Sequence, residues 1–321
     1  MSPPGHPKRD YRHAQYEGCL MNRRFMRALA CAVAVINVCA VAVAAPDANV
    51  VNAGAAATAT TATTSTTTIQ RPLWELGIGF AGVRLPDYGG SDQRRVYALP
   101  LPFIVYRGEW LKADRDGARA LLFDTERVKV DVSLAATTPT RSRNNMARDG
   151  MPDLAPTAEL GPNLNLTLAG SAAEHYRLDL RLPVRAAIAV QRSPDVVGTT
   201  FSPQLNLDLD SVAGGWRYGL LTGPMFGSRK LHEYVYGVDA AYATSARPAY
   251  RASGGYAGWQ ALAATTRRFG NLWVGAFARY DSLHGAAFET SPLVRRTSAV
   301  SFGFGMAWVL ATSAELVASE D

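Results

Sequence analysis

Cysteine is almost missing from this chain: of 321 residues only Cys19, Cys31 and Cys39 carry a thiol, and all three fall within the first forty positions. Downstream there is neither a thiolate metal site nor a cysteine nucleophile, and no disulfide to staple a small core. Long apolar runs are equally scarce. After residue 46 none reaches the length a helix needs to cross a bilayer, so any membrane crossing there is made by strands. Histidine is also sparse, with His175, His232 and His284 scattered beyond the first segment.

The apparent excess of positive charge, +6 in all, belongs to the front of the chain. Arg23, Arg24 and Arg27 precede an apolar stretch from Ala28 to Ala45 that closes on Ala42-Val43-Ala44. A basic start, an apolar middle and a small-residue exit predict a secretory signal peptide over residues 1–44, cut after Ala44, with Met21 the natural start. Its removal leaves 27 basic and 25 acidic residues, a net charge of +2, and with it goes any electrostatic case for nucleic acid as a partner. Residues 45–71 form an Ala/Thr-rich tract with the composition of a flexible lead-in.

Beyond Pro72 the dominant pattern is alternation. In HYRLDLRLPV (residues 175–184), Leu178, Leu180 and Leu182 share one parity, and Arg177, Asp179 and Arg181 the other. A soluble sandwich and a membrane barrel both accept such a strand, with opposite faces inward. The stretch AVSFGFGMAWVL points to the barrel. There Phe302, Phe304 and Trp308 share a face opposite Ser301, Gly303, Gly305 and Ala307, which suits lipid outside and a crowded lumen within.

Twelve strands are expected, near 73–84, 96–106, 109–114, 118–123, 127–136, 159–168, 174–190, 203–211, 215–226, 256–267, 271–281 and 297–310. Their connections alternate, every second one being tight. This predicts a single all-β, up-and-down antiparallel transmembrane barrel over residues 72–310, with short periplasmic turns, long external loops and a periplasmic tail at 311–321. Arg177, Asp179 and Arg181 are then lumen-facing, and Leu178, Leu180, Leu182, Phe302, Phe304 and Trp308 lipid-facing. Trp74, Tyr106, Trp110, Tyr176, Trp216, Tyr280 and Trp308 near strand ends fit an interfacial girdle. Residues 232–244 carry a helical pattern inside the fifth long loop.

Motifs for chemistry are weak. Gly77, Gly79 and Gly82 satisfy the spacing GxGxxG, but no helix opens after them and no acidic residue stands about twenty positions on. The three histidines lack a nucleophile elbow or a paired metal spacing, so no catalytic residue, cofactor or metal is assigned. Asp114, Arg115, Asp116 and Arg119 cluster at a turn, either as a lumen constriction or as solvated charge. Arg141, Arg143 and Arg148 on one external loop could meet lipopolysaccharide phosphates.

Several loop segments, PDYGGSDQRR (86–95), LPLPFIVYRG (99–108), GMPDLAPTAELGP (150–162), RPAYRASGGYAGWQA (247–261) and SPLV (291–294), together resemble the MipA/OmpV family, the MltA-interacting proteins of Gram-negative outer membranes. The resemblance runs from about Leu73 to Leu310. It implies an outer-membrane barrel that is no enzyme and acts as a scaffold joining a lytic murein transglycosylase to a penicillin-binding protein, in contact with outer-membrane lipid and lipopolysaccharide. A small-solute pore or uptake channel, or a surface adhesin, is the alternative. One departure from the usual pattern is that the chain continues past Trp308 for ATSAELVASED after Leu310.

Overall fold

The computed structural model describes residues 69–319 apart from 109–110, 115–116, 126, 172 and 213. The expected signal peptide, most of the lead-in, Trp110, Arg115 and Asp116 lie outside the described residues. The strands are β1 (Ile69–Pro72), β2 (Trp74–Pro86), β3 (Arg94–Arg107), β4 (Leu111–Asp114), β5 (Gly117–Asp124), β6 (Val128–Ala136), β7 (Thr157–Ser171) and β8 (Tyr176–Ala189). They continue as β9 (Asp195–Phe201), β10 (Gln204–Val212), β11 (Trp216–Gly227), β12 (Gly255–Phe269), β13 (Leu272–Ser282), β14 (Ser298–Thr312) and β15 (Leu316–Ser319), with one α-helix, α1 (Arg229–Tyr236), between β11 and β12.

Every pairing is antiparallel, and the order of the large sheet returns on itself. Sequential neighbours run from β2 to β8; β10 joins β8 to β11; β14 closes on β2 through pairs such as Phe304 with Gly82 and Trp308 with Ile78. Strands β9 and β10 together occupy one position in the wall. Against β8 they keep a common register, Val184 opposite Phe201 and Arg181 opposite Gln204, and against β11 likewise. Ser202-Pro203 interrupts them, because proline has no N–H for the ladder. The result is a closed up-and-down barrel with twelve strand positions, in the order the alternation predicts. The stretch 191–202, expected as a long loop, is instead mostly strand, and only residues 190–194 connect β8 to β9.

Turns at one end of the barrel are short, at residues 125–127, 172–175, 213–215 and 270–271. The connections at the other end include the long ones, 137–156, 228–254 and 283–297. Helix α1 lies in the fifth long loop; Ser228 caps its start by accepting from the Leu231 N–H, the usual service of a serine at that position. Among the described residues no helix is long and apolar enough to cross a membrane.

The first and last described residues meet at the short-turn end. Strand β1 pairs with β15, Ile69 opposite Ser319 and Pro72 opposite Leu316. The last residues of the lead-in and the tail after Leu310 thus form a two-stranded ribbon. It is anchored to the barrel where Leu73 donates its N–H to the Glu315 carbonyl at 2.9 Å.

Register separates the two faces of the wall. Ile78, Phe80, Val96, Ile104, Leu160, Leu220, Phe302 and Phe304 lie outward and exposed. Their alternating neighbours Ala81, Val83, Phe103, Val105, Asp131, Asn163, Asp179 and Phe277 are buried in the interior.

Candidate functional site

The interior is unlike on its two sides. Strands β6 to β8 and β10 present polar side chains. Asn163 donates Nδ2–H to Asp131 Oδ1 at 3.1 Å and to Asn165 Oδ1 at 3.0 Å, and Asn165 donates to Asp131 Oδ2 at 2.8 Å. Asp179 accepts from Thr167 at 2.9 Å and from Arg177 Nε at 3.0 Å, while Arg181 stands 3.8 Å from Asp208. Deeper toward the long loops, Arg185 donates twice to Ser133 Oγ, at 2.9 and 2.6 Å, and Thr200 donates to Glu159. The opposite wall carries an apolar cluster of Ala81, Val83, Leu221, Leu262, Ala264 and Phe277, with Gln260 and the ion pair of Arg279 and Asp281 nearer the long loops on the same strands.

The sequence-derived residues fall on these faces as follows. Arg177, Asp179 and Arg181 line the interior cavity. Phe302, Phe304 and Trp308 are exposed on the outer surface, and Leu178, Leu180 and Leu182 are half-buried on the same outward parity. Gly77, Gly79 and Gly82 lie within β2. A Cβ at Gly77 would stand 2.0 Å from the Trp308 carbonyl oxygen, and one at Gly82 would stand 2.9 Å from the Phe304 ring. Close strand packing accounts for these glycines.

The long loops are folded into a lid with a core of its own. Tyr88, Leu154, Tyr236, Val238, Leu283, Phe288 and Leu293 bury one another, and the rings of Tyr236 and Phe288 stack with centroids 3.7 Å apart. Asp87 ties the loops at their base. Its carboxylate accepts from Arg95 Nε at 2.6 Å and Asn145 Nδ2 at 2.9 Å, and its carbonyl from the Thr140 hydroxyl at 2.5 Å. The Tyr88 hydroxyl donates to the Leu293 carbonyl at 2.8 Å, and Ser291 to that of Tyr236. Burial pushes the phenol pKa of Tyr88, Tyr234 and Tyr236 upward, so each stays neutral. His232, buried, holds Nδ1 2.6 Å from the Ser253 carbonyl; burial lowers its pKa, against the smaller opposing pull of that bond.

Of the three loop arginines, Arg141 and Arg143 are exposed, but Arg148 is not available to an external phosphate. It is 3% exposed, donates Nη1–H to the Val235 carbonyl at 2.8 Å and lies over the Tyr88 ring at 5.9 Å. The last carbonyls of α1 have no partner within the helix, and Arg148 donates to one of them, that of Val235. Desolvation draws its pKa down. Of the histidines, His175 occupies the β7–β8 turn with φ of 55°, and His284 is an exposed loop residue near Glu289.

At the short-turn end the floor is filled by Phe103, Val105, Trp273, Ala307 and Val309, and by Glu75, which is 2% exposed and bridged to Arg107 at 2.8 Å and Arg268 at 2.7 Å. Between lid and floor lies a cavity of about 570 Å³. Its roof includes His232, Tyr236 and Phe288, and its polar wall Asp131, Asn163 and Arg177. Among the described residues no cluster of three His, Cys, Asp or Glu side chains could hold a metal ion.

Sequence reasoning did not single out Glu75, Asp87 or Arg185. The only signal for Asp87 was its place in PDYGGSD, a turn-rich segment; Glu75 stood out only as a charge on the inward parity of an otherwise apolar strand.

The family profile described as "MltA-interacting protein MipA" matches residues 78–310. No curated protein matches the chain. Among solved structures, a chain described as "Bacterial polysaccharide outer membrane secretin" is similar over 75% of this chain and 99% of its own, with 9% identity and a TM-score of 0.35.

Proposed function

This chain belongs to the MipA family of MltA-interacting proteins, and on that premise we propose that it is an outer-membrane barrel without enzymatic activity, a membrane-fixed scaffold for murein hydrolase and synthase assemblies. The signal peptide at residues 1–44 would carry it out of the cytoplasm. The outward belt of Ile78, Phe80, Ile104, Leu220, Phe302 and Phe304 supports the membrane reading. Burying each such side chain is worth roughly 1.5–3 kcal/mol, so a belt of them along the described wall calls for a surrounding apolar solvent.

The observation that carries a scaffold over a pore is the filling of the barrel at both ends. A lid with its own apolar core and a floor built on the Glu75 ion triad leave the wall as a rigid platform. Partner contacts belong on the periplasmic side, at the turns near Arg107, Asp124 to Arg127, Gly170 to Glu174 and Gly214, together with the ribbon of β1 and β15. Capture of a lytic murein transglycosylase by purified barrel, repeated after those turns and the ribbon are replaced, tests this. Undiminished capture overturns the side assignment, and no capture by the native chain overturns the scaffold reading. Steady conductance in planar bilayers would favour the pore alternative.

A further inference from the structure

We propose that the long-loop rim of the barrel, where β14, β2 and β3 adjoin, is a binding site for a membrane amphiphile with a twice-phosphorylated head and several acyl chains, held by Arg84, Arg94, Arg295 and Arg296.

Register brings the first two arginines together. Arg84 and Arg94 share the outward parity and are exposed. Arg84 pairs with Val96 on β3, two residues beyond Arg94, so the two are diagonal neighbours on one face, about 7–8 Å apart. On its other side Arg84 pairs with Phe302 of β14, and its guanidinium lies over that ring, 5.9 Å from the centroid. A cation resting on a ring face keeps its N–H edge for another partner.

The second pair arrives from the loop at 283–297. The backbone N–H groups of Arg295 and Arg296 both donate to the Gly90 carbonyl, at 2.8 and 3.0 Å, in the turn that joins β2 to β3. That segment is fixed from beneath. Leu293 is fully buried and its carbonyl accepts from the Tyr88 hydroxyl, and a Cβ at Gly90 would stand 3.3 Å from the Val294 side chain. Arg295 and Arg296 are themselves exposed.

What the four lack states the ligand's chemistry. Other arginines of the barrel are matched by carboxylates, Arg95 by Asp87, Arg268 by Glu75 and Arg279 by Asp281. Among the described residues, none of these four guanidiniums has a hydrogen bond or an ion pair. Of the two carboxylates in the β2–β3 turn, Asp87 is buried against Arg95 and Asp92 alone is exposed. Four unmatched guanidiniums beside one exposed carboxylate suit two phosphates, which such forks bind through paired N–H···O bonds. The setting makes the ligand an amphiphile. On the short-turn side of the arginines the same outward face continues as Ile78, Phe80, Ile104 and Phe304, all exposed, and acyl chains below a phosphorylated head would lie along it.

The test uses the full barrel in phosphatidylcholine vesicles and diphosphoryl lipid A labelled on an acyl chain, read by energy transfer from the barrel's tryptophans. Folding of each variant is verified by heat-modifiable migration. The native chain should give transfer that saturates and is competed by unlabelled lipid A. Arg84→Gln with Arg94→Gln should weaken binding about tenfold, and so should Arg295→Gln with Arg296→Gln, because each pair removes hydrogen bonds to a charged acceptor. Lipid A stripped of its phosphates should bind the native chain and the quadruple variant alike. Equal affinity of those two chains for the phosphorylated lipid would overturn the site, and equal weakening by Arg141→Gln with Arg143→Gln would overturn its place on the seam. Displacement of the labelled lipid by inorganic phosphate would make free phosphate the ligand and overturn the amphiphile. The inference rests on the belt facing lipid: a barrel that stays soluble without detergent overturns that reading, whereas an inserted barrel without phosphate-dependent binding overturns this one alone.

Discussion

The carboxylate of Glu75 accepts from the guanidinium of Arg268 at 2.7 Å, across 193 positions of the chain. Its other oxygen takes Arg107, so one buried anion locks the start of β2 to the ends of β3 and β12. Breaking a buried ion pair from one side costs roughly 3–5 kcal/mol, because the charge left behind is stranded. Glu75→Gln strands two. The variant should unfold at a distinctly lower temperature in heat-modifiable migration, and by more than Arg268→Met, which leaves Glu75 with Arg107. A transition unmoved by Glu75→Gln would show that the floor does not depend on this triad.

Asp87 should govern the lid and spare the wall. Asp87→Ala removes two charge-assisted acceptors, each worth roughly 1.5–3 kcal/mol, from a junction that holds Arg95 and Asn145. Limited proteolysis should then cut within residues 137–156 much faster, with heat-modifiable migration of the barrel retained. Equal cleavage of native and variant chains would rule out this role.

Acid should loosen the same lid through His232. Its pKa is depressed in the folded state, chiefly by burial, so the unfolded lid binds the proton more readily. Stability therefore rises with pH through this range, and is lost as pH falls below the ordinary imidazole value of about 6.5 toward the lower folded value. Amide hydrogen exchange in α1 should be faster at pH 5 than at pH 7.5 after correction for the intrinsic rate. His232→Phe should flatten that contrast; a contrast that persists in the variant assigns it to another group.

Closure of the barrel should depend on Gly77. Facing it, β14 slips register between Val309 and Ala311, and the Trp308 carbonyl comes so near that a Cβ has no room. Gly77→Ala should cut the yield of heat-modifiable barrel severalfold on refolding. Gly305→Ala, whose nearest atom would be 3.6 Å away, should refold like the native chain. Parallel yields for the two variants would remove the significance of this contact.

Much of the wall was legible because period-two alternation is a local signal, read within each strand: Leu178, Leu180 and Leu182 against Arg177, Asp179 and Arg181 need no knowledge of neighbours. Strand β9 escaped because Ser202-Pro203 reads as a turn, although the register carries through it. The lid escaped for a different reason. Tyr88, Leu154, Tyr236 and Phe288 come from four separate loops, and nothing periodic in any of them announces that they share a core. Nothing local separates Arg148 from Arg141 and Arg143 as a ligand for lipopolysaccharide phosphates, because its partner, the Val235 carbonyl, lies 87 positions away.

The ribbon of β1 and β15 sets how force reaches the seam between first and last strands. Ile69 and Ser319 sit opposite each other at its outer end, so tension applied through the two flanking segments peels the ribbon one rung at a time and never loads its rungs together. It would give way at low force, ahead of the β2–β14 seam behind it, and act as a mechanical fuse for the barrel.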